Sequence, residues 1–61
     1  MLGNRFKSRI ENSSMKELIF ELDCNEEIFY KTEDYDMGNV AEEKMKAIKE
    51  RISVILCKNA N

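Results

Sequence analysis

Histidine, proline and tryptophan are absent from this 61-residue chain, and glycine and cysteine each occur only twice. Without histidine, one copy of the chain cannot build a Ser-His or Cys-His nucleophilic pair or a Cys/His zinc site. The 12 acidic residues are spread along the sequence, so no pair of carboxylates stands out for general acid–base chemistry. We therefore expect no catalytic residue, no cofactor and no metal site, and a protein that is not an enzyme.

Long apolar runs are missing as well. No stretch of about 18 apolar residues occurs, and the first residues lack the apolar centre of a signal peptide. The two cysteines, Cys24 and Cys57, form no CxxC motif, so we expect reduced thiols, with a disulfide between them left open. The expectation is a cytoplasmic protein without a membrane segment.

The composition that remains is typical of a globular domain, with 43% hydrophobic and 36% charged residues and a net charge of −2. We expect a single folded domain over residues 1–61. A chain this small buries only about 60% of the surface that it exposes when unfolded, so association with a partner or a second copy is expected. The acidic balance argues against a protein dedicated to the phosphate backbone of nucleic acids.

The clearest predicted element is a C-terminal helix. Asn39 and Glu42 have the spacing of a capping box, which predicts a helix that starts near Val40, after a turn at Gly38. Apolar residues then recur at helical spacing on one face: Ala41, Met45, Ile48, Ile52, Ile55 and Leu56. The sequence predicts a helix from about 40 to 57.

The preceding segments alternate between apolar and polar side chains, which is typical of strands. Residues 5–11, 17–22 and 27–32 give three such runs, and residues 23–25 predict a three-residue hairpin loop. The predicted fold class is α+β: a three-stranded antiparallel meander packed by one C-terminal helix, in the order βββα. Its predicted core consists of Phe6, Ile10, Leu18, Phe20, Leu22, Ile28, Tyr30, Met45, Ile48, Ile52 and Ile55.

An all-α helical hairpin is the alternative fold. Ser14 can serve as the N-cap of a helix that starts at Met15, and four apolar residues then share one helical face: Met15, Leu18, Ile19 and Leu22. Against it, Phe20 would point to solvent, and residues 23–25 are three poor helix formers in succession. The strand pattern is therefore preferred.

Two apolar residues remain on the outer face of the predicted sheet. The strand register sets Ile19 opposite Phe29 and places Arg9 beside Ile19. Paired apolar side chains next to an arginine are typical of the centre of an interaction patch. The predicted partner-binding residues are Arg9, Ile19 and Phe29, with Arg5 and Lys7 along a basic edge. In the alternative interpretation, Leu2 from the N-terminal segment covers one of them and the patch binds nothing.

These patterns favour a small non-enzymatic regulatory or inhibitory protein that acts by binding another protein, or a second copy of itself as a homodimer. A chain this short, acidic and free of motifs could be encoded by a phage or another mobile element.

The alternative is a small nucleic-acid-binding protein that uses the outer sheet face and the basic first strand. A three-stranded sheet followed by a helix broadly resembles the integrase arm-binding domains, which lay a sheet on the major groove. Acidic residues on the same face, Glu17, Glu21 and Glu27, oppose that alternative.

Overall fold

A computed structural model describes residues 3–59, which form three helices. Helix α1 spans Asn4–Asn12, α2 spans Met15–Lys31 and α3 spans Tyr35–Asn59. No strand occurs within residues 3–59. The predicted α+β fold is therefore wrong, and the all-α hairpin that was the alternative is the observed arrangement, with a short helix added before it.

Helix α1 occupies the segment that was predicted to be the first strand. Phe6 and Ile10 are four residues apart, a spacing that keeps two side chains on one face of a helix as well as on one face of a strand. In the structure Ile10 is buried and Phe6 packs against the core, while Ser8, which the strand pattern placed between them on the same face, is exposed. Two apolar positions at this spacing do not distinguish the two periods, so the strand prediction failed.

Helix α2 begins with a capping box and continues through the predicted hairpin loop. The Ser14 hydroxyl accepts a hydrogen bond from the Glu17 backbone N–H at 3.2 Å, and the Glu17 carboxylate accepts one from the Ser14 backbone N–H at 2.9 Å. Asn25, expected in the loop, lies inside the helix and donates its side-chain amide to the Glu21 carbonyl at 2.8 Å. The capped start and the packing of Leu18 and Leu22 in the core outweigh the poor helix propensity of residues 23–25.

A three-residue connection, residues 32–34, joins α2 to α3 and makes the two helices an antiparallel pair. The Asp34 carboxylate accepts hydrogen bonds from the backbone N–H groups of Asp36 at 2.9 Å and Met37 at 3.3 Å, which is N-cap geometry. Helix α3 therefore starts at Tyr35, five residues before the predicted start at Val40. Gly38 lies inside the helix rather than at a turn.

The core lies where the three helices meet. Leu18 of α2 and Ile48 of α3 are fully buried and contact Ile10 of α1. Eight residues of the predicted core are buried or packed against it: Phe6, Ile10, Leu18, Leu22, Met45, Ile48, Ile52 and Ile55. The other three, Phe20, Ile28 and Tyr30, are exposed, because the strand period assigned them to the wrong side of what is a helix.

Helix α1 covers only part of the hairpin. Its Phe6 ring lies 5.4 Å from the Lys44 Nζ, and the Glu11 carbonyl accepts a hydrogen bond from the Arg51 guanidinium at 3.1 Å. Helix α1 thus lies along residues 44–51 of α3 and leaves residues 35–43 beyond its reach. We call the covered half of the hairpin, residues 14–22 and 44–55, the closed end, and the other half, residues 23–31 and 35–43, the open end.

Candidate protein-binding groove

A shallow groove of about 260 Å³ lies between α2 and α3, mainly at the open end. Apolar side chains make up most of its wall. Its lining residues are Asn25 and Ile28 from α2, and Asp36, Met37, Val40, Ala41 and Lys44 from α3. It is the kind of concave, mostly apolar surface at which proteins bind ligands and partners.

Three apolar side chains in the groove remain substantially exposed. Ile28 is 41% exposed, Val40 47% and Met37 52%. Ile28 lies beside the row of α2 side chains that packs on α3. Met37 and Val40 lie on the same side of α3 that α1 covers farther along, toward the C-terminal end of α3. The groove exists because the hairpin continues past the end of the helix that covers it.

Charged side chains flank the apolar part of the groove along α3. Asp36 lies four residues before Val40 and Lys44 four residues after it, so the three share one face of the helix. The Lys44 ammonium lies 5.4 Å from the centre of the Phe6 ring of α1, which is a cation–π contact. One apolar centre between opposite charges is the main chemical feature of the groove.

The side chains with shifted pKa values lie outside the groove, in contacts within α2 and at its start. A hydrogen bond from the Ser14 backbone N–H, reinforced by the Ser14 side chain, lowers the pKa of Glu17. A hydrogen bond from the Lys31 ammonium at 2.7 Å, with its charge, lowers the pKa of Glu27, and the same contact raises the pKa of Lys31. None of these three groups lines the groove.

The predicted patch residues occupy separate places. Ile19 is 55% exposed on α2, whereas Phe29, ten residues farther along the same helix, is half-buried with its ring nearly perpendicular to that of Tyr30. Arg9 forms an ion pair with Glu21 and lies 5.3 Å from the centre of the Phe6 ring. Glu21 and Ile19 point to opposite sides of α2, so the predicted row of Arg9, Ile19 and Phe29 does not form.

The basic edge of the predicted first strand is now part of α1. Arg5 and Lys7 are exposed, but side chains two positions apart on a helix point in nearly opposite directions, so the two cations do not converge. Leu2, the proposed cover for the patch, lies outside the described residues. Whether any of the five predicted residues contacts a partner stays a prediction.

The groove itself was missed because the start of α3 was misplaced. Asp34 is followed by Asp36 and Met37, whose N–H groups it caps, and this second capping signal precedes Asn39 in the sequence. A helix that starts at Tyr35 places Asp36, Val40 and Lys44 on one face. The signal was present but competed with the stronger pattern of Gly38, Asn39 and Glu42.

Within residues 3–59, no group of three or more Cys, Asp and Glu side chains could hold a metal ion. None of the helices described is both long and apolar enough to cross a bilayer. Cys24 and Cys57 are exposed and are not joined in a disulfide. Comparisons with protein-family models, curated proteins and solved structures found no match to this chain.

Proposed function

We propose that this protein is a small, non-enzymatic regulator or inhibitor that works in the cytoplasm by protein–protein binding, and that the groove is its contact surface. The observation that supports this most directly is the cluster of Ile28, Met37 and Val40, all partly exposed in one concavity. Single apolar residues on a surface are ordinary, but a contiguous apolar concavity with a charged rim is typical of an interaction site.

The shape of the molecule supports the same proposal. The Cα radius of gyration is 12.1 Å, compared with about 10.5 Å for a compact domain of this length. The chain measures 42 × 21 × 14 Å along its principal axes. Among the residues that the structure describes, only Leu18 and Ile48 are fully buried large side chains. A partner on the groove would add apolar burial that the three helices alone do not supply.

Nucleic acid is the second choice of partner. The sheet face that was expected to enter a groove of DNA is absent from residues 3–59. Among the basic residues of α1, Arg9 is neutralised by Glu21, and Arg5 and Lys7 point apart. Phosphate binding depends on several converging cations, and α1 offers no such cluster.

Site-specific photo-crosslinking in the host cell tests the proposal. A photoreactive amino acid at Met37, in the groove, should give a discrete crosslinked protein, because a bound partner would lie within reach of that position. The matched control carries the same group at Asp23, an exposed residue that does not line the groove. Equal labelling at both positions, or none at either, would contradict the groove as a contact surface. An adduct that nuclease treatment removes would point to nucleic acid instead.

A further inference from the structure

We infer that the partner at this groove is a second copy of the chain, and that the two copies form a symmetric dimer in which their α3 helices cross antiparallel at Val40. This inference rests on the proposed protein-binding function of the groove. It is supported by the surface area of the single chain and by the order of charges along α3.

The isolated chain exposes more surface than a monomer of its mass should. Its accessible surface is 4953 Å² for 7.2 kDa, about 800 Å² more than the roughly 4,100 Å² expected for a folded monomer of that mass. A standard protein–protein interface buries about 800 Å² on each partner. The excess is similar in size to the area that each partner contributes to such an interface.

The charges that flank Val40 are complementary to themselves. In a two-fold symmetric interface, residue i of one copy contacts residue j of the other, and residue j contacts residue i. Asp36 and Lys44 lie four residues to either side of Val40, about 6 Å along the helix axis in each direction. When two α3 helices run antiparallel across Val40, Asp36 of each copy lies next to Lys44 of the other.

The remaining groove residues fit the same contact. Val40 of one copy would meet Val40 of the other at the two-fold axis, with the flexible Met37 side chain filling the space beside it. Ile28 from α2 would be covered at the edge, and all three apolar side chains lose exposed surface. Phe20 of α2 lines a separate groove of about 530 Å³, in which the other lining residues are polar or charged.

Charge-reversed variants test the proposed pairing. Asp36→Lys places two lysines together at each contact, and Lys44→Glu places two acids together. Each variant alone should raise the dimer dissociation constant about tenfold or more. Sedimentation equilibrium measures this constant, with the dimer recognised by a mass twice that of the 7.2 kDa chain. Mixing the two variants restores opposite charges at both contacts and should restore a dimer of one copy of each.

Controls separate loss of the interface from loss of the fold. Lys16→Glu reverses a charge on the exposed surface of α2 that does not line the groove and should leave dimerisation unchanged. Restoration on mixing can occur only if both variants fold, so it excludes unfolding as the cause of the weakened dimer. Wild-type chain that stays a monomer across the concentration range, or variants that do not recombine, would overturn the inference.

The outcomes also distinguish this inference from the proposed function. A monomeric chain that crosslinks through position 37 to a different protein would refute the dimer and leave the proposed function standing. Self-association abolished by Asp36→Lys and recovered on mixing would support both. A monomer without any adduct at position 37 would contradict both.

Discussion

The closed end and the open end of the hairpin differ in the large side chains that they bury, although Phe20 at the closed end is exposed and Ala41 at the open end is buried. At the closed end, Leu18 and Ile48 are inaccessible to solvent, and Ile10 from α1 completes their packing. At the open end, Ile28 and Val40 keep close to half of their surface in water. The same pair of helices therefore provides both the core and the candidate binding surface.

The difference follows from the lengths of the helices. Helix α1 has 9 residues and α2 has 17, so at 1.5 Å per residue they are about 13 and 25 Å long. A pair of helices buries the stripe between them but leaves apolar residues beside that stripe exposed unless a third element covers them. Helix α1 supplies that cover over about half of the hairpin, and the other half remains available to a partner.

The largest loss of stability should come from a charge placed at the closed end, with the same change at the open end as its control. Ile48→Asp puts an unpaired carboxylate in a fully buried position and should cost several kcal/mol, enough to unfold a domain of this size. The cooperative thermal transition, followed by circular dichroism, should disappear. Val40→Asp, the matched change at the open end, should keep a cooperative transition because its side chain reaches solvent. A normal transition for Ile48→Asp would show that the closed end is not the core.

A smaller loss should follow removal of the cap at the closed end. Ser14→Ala deletes the hydroxyl that accepts the Glu17 backbone N–H and should lower the free energy of unfolding by about 1 kcal/mol in urea titrations. Ser8→Ala is the matched control, because Ser8 is exposed in the interior of α1. Equal stabilities for the two variants would mean that the capping box does not contribute to α2.

The same cap makes stability depend on pH. The Ser14 N–H lowers the pKa of Glu17 below its ordinary value of 4.5. As the pH falls, the unfolded chain takes up this proton first, so the contribution of Glu17 is present above about pH 4.5 and is lost as the pH passes the lower folded-state pKa. Glu17→Gln should flatten the fall in the urea midpoint over this window. Ser8→Ala, which removes no titratable group from the exposed surface of α1, should leave it unchanged.

The smallest effect should be a gain in stability at the open end. Gly38→Ala adds a Cβ that would lie 3.6 Å from the Thr32 Cγ2, an ordinary contact, in a helix with no positive φ at glycine. Alanine should stabilise α3 by up to about 1 kcal/mol and raise the melting temperature. Gly3→Ala is the control, because Gly3 is the N-cap of α1 and alanine's higher helix propensity stabilises only positions inside a helix. A lower melting temperature for Gly38→Ala would favour the predicted turn at Gly38 over a continuous α3.

Sequence patterns predicted the long helix better than the rest of the fold. Met45, Ile48 and Ile52 repeat over several turns, and their placement on the packed face of α3 is confirmed. Residues 5–11 and 17–22 present only two or three apolar positions each, too few to separate a period of 2 from one of 3.6. The N-cap proposed at Ser14 in the alternative fold marked the start of α2 correctly, but the strand pattern was preferred over it.

The candidate groove was less accessible to prediction than the fold. Ile19 was correctly expected to lie outside the core, but exposure alone does not tell which exposed residues lie next to one another. Ile28 was predicted to be buried, but it is 41% exposed and lies in the groove beside residues of α3. Adjacency between residues of α2 and α3 depends on how two helices pack.

The sequence by itself determined the packed face of α3, the capped start of α2 and the lack of histidine chemistry, because each is set by residues within a few positions of one another or by composition. Tertiary structure alone decided which apolar residues became core and which became surface. Leu18 and Val40 are both apolar residues on helices of one hairpin, but Leu18 meets Ile10 and Ile48 in the core whereas Val40 lies in the groove, because the packing of three helices, not local sequence, decides which side chains are covered.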